Sequence, residues 1–226
     1  MRKSLILIFI LGSLTLHACS KSVPKQMEYA MSKNQENDIV KLVKSNQLAA
    51  VKEALEKGAN VNSSDNQGKS LLLLATIDKN IEMAKLLVAF NADVNQQDQQ
   101  LDSSFLYAGA SGQTELVKLY LDNGARFDIF NRYKGSALIP ACERGHIETV
   151  KLLANTPNFP IDHVNRLGWT ALMEAIILGN GSHKYQEIVK ILIAAGVNKN
   201  IPDKDGVTPI EHAKRKGFSE IVDLLN

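Results

Sequence analysis

The chain is short of the residue types that do chemistry or lock small folds. It has two cysteines, Cys19 and Cys142, so at most one disulfide is available. Its five histidines are His17, His146, His163, His183 and His212, and none stands at metal-ligand spacing from another histidine or a cysteine. There is neither a G-x-S-x-G elbow nor a phosphate-binding loop. Carboxylates are plentiful but fall mostly on solvated helix faces or in turns such as Asp93, Asp128 and Asp162. No charge of one sign dominates: 26 basic residues face 24 acidic ones, and no basic stripe is concentrated anywhere. These absences argue against an enzyme, a metal or cofactor protein, and a nucleic-acid binder.

What the chain does have is a blueprint that returns every 33 residues. Asp65-Asn66-Gln67-Gly68, Asp98-Gln99-Gln100-Leu101 and Asn131-Arg132-Tyr133-Lys134 start at that fixed spacing, and further copies open at Asn165 and Asp203. Each is followed by a short apolar helix, a turn and a longer apolar helix. Equal periods of this size indicate stacked units whose faces bury one another.

The last copy is the clearest: Thr208-Pro209-Ile210-Glu211-His212-Ala213, then Gly217, then Ile221-Val222-Asp223-Leu224-Leu225. It resembles an ankyrin repeat, whose signature includes T-P-L-H-x-A in a 33-residue unit. Ser70-Leu71-Leu72-Leu73-Leu74-Ala75 and Thr170-Ala171-Leu172-Met173-Glu174-Ala175 keep its frame, and Gly145-His146 matches the link between the two helices. The resemblance implies an all-α ankyrin-repeat solenoid of about six stacked helix pairs with β-turn fingers. The units are a capping unit 36–64, repeats 65–97, 98–130, 131–164 and 165–202, and a C-terminal cap 203–226.

Each element has a physical reason. Thr or Ser caps free N–H groups at the head of the first helix, and Pro in the first turn loses no hydrogen bond. Ala75, Ala108, Ala141, Ala175 and Ala213 stand where helices approach closely. Gly58, Gly124 and Gly196 end second helices, where a left-handed residue is needed. Cys142, beside Ala141, reads as a small packed hydrophobe. Two units depart from the pattern. The fourth ends in Asn155-Thr156-Pro157-Asn158 without the usual Gly-Ala. The fifth carries about five extra residues around Gly179 to Tyr185, expected to form a loop that either belongs to the binding face or is a neutral, tolerated insertion.

The first residues read as an address. Met1-Arg2-Lys3 is positive, and Leu5 to Leu16 is an apolar run too short to span a membrane. With Leu16-His17-Ala18-Cys19 it resembles a bacterial lipoprotein signal, residues 1–18, cleaved before a lipidated Cys19; ordinary secretion is the competing reading. Residues 19–35 then form a lipidated, polar tether. Ser20 after the Cys implies the outer membrane, with the repeats (36–226) facing the periplasm. Translation from Met27 or Met31 would instead give an unanchored cytosolic array.

Exposed positions of such an array report on the partner. The second and third units offer plain polar residues, among them Gln67, Gln99 and Asp102. The fourth offers Arg132, Tyr133, Glu143 and Arg144. The fifth offers Arg166, Leu167, Trp169, Ile177 and Leu178, with Tyr185 in the insertion. Arg, Tyr and Trp dominate interface energetics, so this patch is the expected partner surface; Trp169 packed on Leu167 as a cover for the core is the alternative. The expected partner is a protein, and the free chain is expected to be a monomer. The chain resembles ankyrin-repeat lipoproteins that neutralise envelope-attacking toxins such as phospholipase effectors. A helper of a periplasmic enzyme, for example in peroxide protection, is the other function this fold would serve.

Overall fold

A computed structural model describes residues 38–226. The expected signal, Cys19, the tether and the alternative starts at Met27 and Met31 lie outside the described residues.

The described chain is a single file of helix pairs without named strands. Helical residues 38–44 (α1) pair with α2 (Leu48–Glu56), α3 (Leu71–Ile77) with α4 (Ile81–Ala89), and α5 (Ser104–Ala110) with α6 (Thr114–Leu121). Then α7 (Leu138–Arg144) pairs with α8 (Ile147–Ala154), α9 (Ala171–Ile177) with α10 (His183–Ala194), and α11 (Pro209–Arg215) with α12 (Ser219–Leu225). First helices pack on first helices of neighbouring pairs, and second on second, which gives two layers. Helices of seven to nine residues would not persist alone; they persist here because one apolar face of each is shared with both neighbours.

The 33-residue blueprint is a repeated hydrogen-bond device. In every copy the opening Asp or Asn accepts N–H groups from two and four residues on. Asp65 Oδ1 takes Gln67 and Lys69, Asp98 takes Gln100 and Asp102, and Asn131 takes Tyr133 and Gly135. Asn165 takes Leu167 and Trp169, and Asp203 takes Asp205 and Val207. The fourth residue of each turn is left-handed. Gly68, Gly168 and Gly206 meet that demand without strain, whereas Leu101 (φ 59°) and Lys134 (φ 57°) bear it.

The five alanines are all at most 2% exposed, as the close approach of helices requires. Ser70, Ser103 and Thr170 cap the N–H three residues on, and Thr208 forms a reciprocal capping box with Glu211. The fourth unit breaks this rule. Its α7 starts after Ala137 with no side-chain cap, and the buried Ser136 hydroxyl has no partner. Cys142 is fully buried, and burial pushes its thiol well above the usual range.

The insertion in the fifth unit is part loop and part helix. Residues 178–182 link α9 to α10, with Asn180 and Ser182 exposed. The rest lengthens α10 to 12 residues, the longest described helix, with His183 and Lys184 exposed and Tyr185 turned inward. A Cβ on Gly179 would fall on the Ala175 carbonyl oxygen and against the Tyr185 ring, and one on Gly181 would meet the Phe218 ring. Tyr185 itself is 8% exposed. Close packing, which spacing does not reveal, decides this point.

Candidate functional site

The fingers and first helices of the third to fifth units surround an open cavity of about 550 Å³. Its position follows from one row of side chains. Nine positions after each opening Asp or Asn, on the first helix, stand Leu74, Tyr107, Pro140, Glu174 and His212. Pro140 is the short member, set between Tyr107 and Glu174, and all three line the cavity. Two fingers rise beside it. One carries Arg132 and Tyr133, the next Leu167, and they are joined where the Arg166 N–H donates to the Tyr133 carbonyl at 2.8 Å. From the helices come Glu143 and Arg144 of α7 and Leu178, which caps α9.

The charges are unevenly matched. Arg132 pairs with Asp102 at 3.5 Å and lies over the Tyr133 ring, 5.0 Å from its centre. Burial still raises the Asp102 carboxyl, with Arg132 opposing. Arg144 donates to the Ala110 carbonyl at 2.7 Å. Glu174 is only 4% exposed, and its one bond is from the Asn165 amide at 2.8 Å. Burial, helped by the nearby Glu143 charge, raises the Glu174 carboxyl to about 7. The equivalent pair in the last unit has opposite polarity: His212 Nε2 lies 2.7 Å from Asp203 Oδ2.

Six residues expected at the contact surface come together here: Arg132, Tyr133, Glu143, Arg144, Leu167 and Leu178. Four do not line the cavity. Arg166 is exposed on its finger, where its carbonyl accepts from Lys204. Trp169 and Ile177 are half-buried, and the Ile177 carbonyl accepts from Lys216 at 2.7 Å. Tyr185, expected in the inserted loop, sits in the first turn of α10, and its hydroxyl donates to the Glu143 carbonyl at 2.8 Å. It braces the helix end that presents Glu143. Sequence reasoning missed Glu174. The available signal was an acid in a row otherwise holding Leu, Tyr, Pro and His.

Of six large apolar side chains left exposed among the described residues, three gather at this cavity: Tyr133 (52%), Leu167 (49%) and Leu178 (48%). Scattered exposed apolar residues are ordinary, but a cluster rimmed by charge marks a contact surface. Among the described residues there is no cluster of three metal-ligating side chains, and no helix is long and apolar enough to cross a membrane.

Comparison with known proteins agrees with the fold of stacked helix pairs. A family model described as ankyrin repeats (3 copies) matches residues 15–99, 105–202 and 162–226. The crystal structure of an ankyrin repeat domain from Acinetobacter baumannii AYE is 44% identical, with a TM-score of 0.81 over 84% of this chain and 96% of that one. A crystal structure of the ankyrin repeat protein EF0377 is 39% identical, with a TM-score of 0.80 over 83% of this chain and 95% of that one. The ankyrin repeat protein YahD of Escherichia coli (strain K12) is 44% identical over 75 residues, 33% of this chain; the match spans 37% of YahD's length.

Proposed function

The chain belongs to the ankyrin-repeat family, and on that premise we propose that it is a periplasm-facing immunity protein. It binds an envelope-attacking toxin, such as a phospholipase effector, through the concave surface around Arg132, Tyr133, Leu167 and Leu178. The gathering of exposed apolar side chains among charged ones at one cavity carries the docking surface. Arg132, Tyr133 and Leu167 project from fingers pinned by hydrogen bonds and Leu178 from the end of α9, so little backbone freedom is lost on binding. That suits stoichiometric inhibition. The proposed address rests on Leu16-His17-Ala18-Cys19, which supports lipidation of Cys19; an array so anchored would stand beside the membrane that such a toxin attacks.

Affinity capture from the producing bacterium's envelope tests this. The baits are the anchored chain and a Tyr133→Ser/Arg144→Ala/Leu167→Ser variant of equal thermal midpoint. A hydrolase captured by the unaltered chain alone, and inhibited by it, is the expected result. A captured enzyme whose activity is preserved or raised makes the protein a helper. Equal capture by both baits moves the docking surface elsewhere.

A further inference from the structure

We infer that the cavity between the third and fifth units is a receptor for one basic side chain, presented by the protein partner between apolar neighbours. The inference rests on the concave face being the docking surface, and it names the chemistry recognised there.

Four observations converge. Glu143 and Glu174 have no cation within ion-pair distance among the described residues, while Asp102 is matched by Arg132 and Arg144 is engaged by the Ala110 carbonyl. Glu174 is almost wholly buried, yet lines the cavity with only the neutral Asn165 amide bonded to it. A buried carboxylate without a cation is costly, and the attraction for a cation there is stronger than at the surface, offset in part by the desolvation of the incoming charge. Thirdly, the last unit shows how the same two positions are matched internally. Asp203 meets the His212 ring there, whereas the fifth unit has an acid in place of the imidazole and a neutral amide in place of the carboxylate. No matching cation for this pair stands among the described residues. Finally, Leu167 and Leu178 are exposed on the cavity wall and offer an apolar seat for the methylene stem of an arginine or lysine and for its neighbours.

The test is a calorimetric titration of the full chain in detergent with the peptide acetyl-Leu-Arg-Leu-amide. The control peptide carries citrulline, the neutral isostere, in place of arginine. The arginine peptide is expected to bind saturably at one site, at least about tenfold more tightly than the citrulline peptide. Glu174→Gln should remove that preference without lowering the thermal midpoint, and Glu143→Gln should weaken it. Equal binding of the two peptides, binding of neither, or a preference that survives Glu174→Gln overturns the inference. The two readings fail separately. Capture that depends on the patch with no arginine preference keeps the docking surface and loses the receptor. Arginine-selective binding with patch-independent capture keeps the receptor and moves the partner's docking surface elsewhere.

Discussion

Glu174→Gln should stabilise the protein at pH 8 relative to pH 5, and the size of the effect can be worked from the site. Glu174 has an ordinary value of 4.5 and a folded value of about 7. A carboxyl raised on folding holds its proton more tightly in the native state. Below about pH 4.5 it is protonated in both states and costs nothing. As pH rises towards 7 the unfolded chain ionises while the folded one resists, and stability is lost; above 7 the loss is complete. The shift of 7 − 4.5, at about 1.36 kcal/mol per pH unit, gives roughly 3 kcal/mol. Glutamine has the same shape and can still accept from the Asn165 amide, but it does not ionise. Its own desolvation cost is independent of pH. The assay is urea unfolding of both proteins at pH 5 and pH 8, and the quantity read is the difference of differences. Asp65, Asp102 and Asp203 titrate alike in both proteins and cancel. At pH 5 the unfolded carboxyl is already largely ionised, so part of the cost is present there, and a gain at pH 8 over pH 5 of roughly 2–3 kcal/mol is expected. Parallel pH profiles for the two proteins would refute the buried, unneutralised carboxylate.

Two further substitutions test the scaffold. Lys134→Gly relieves a left-handed turn position and should stabilise the array by about 0.5–1 kcal/mol, measured by urea unfolding; a loss would mean that the finger does not need that conformation. Gly179→Ala forces a Cβ to within 2.1 Å of the Ala175 carbonyl oxygen, a backbone atom that cannot swing aside. It should cost about 1–3 kcal/mol and lower the thermal midpoint, and an unchanged midpoint would mean that the insertion is a loose loop.

The fold was legible because its instructions recur. A single Asp65 or Asn131 says little; five such residues at near-equal spacing, each followed by a small residue and an apolar helix, leave few other architectures. Half of the cavity was legible for a related reason. Tyr133, Leu167 and Leu178 break the polar habit of finger tips and helix ends, so they stand out against the other copies. Trp169 and Tyr185 stand away from the cavity lining, because aromatic character shows what a residue can bury, not which side it faces. The Tyr185 ring turns inward because Gly179 leaves room for it. The acid at Glu174 stood out in its row only weakly, because the helix frame tolerates many residue types there, and its consequence arises from Asn165 before it and Glu143 on the neighbouring helix.

On the proposed reading the site sets stability against recognition. Leucine, present at the same row position as Leu74, would bury apolar surface without an ionisation cost. The chain instead holds a carboxylate that opposes folding by roughly 3 kcal/mol at neutral pH and above. A cation docking from a partner would lower the Glu174 carboxyl and recover part of that energy on binding. A partner presenting a neutral side chain could not recover it and would be discriminated against by the same residue. Selectivity and tightness would thus come from one buried group, with the rest of the concave face supplying shape.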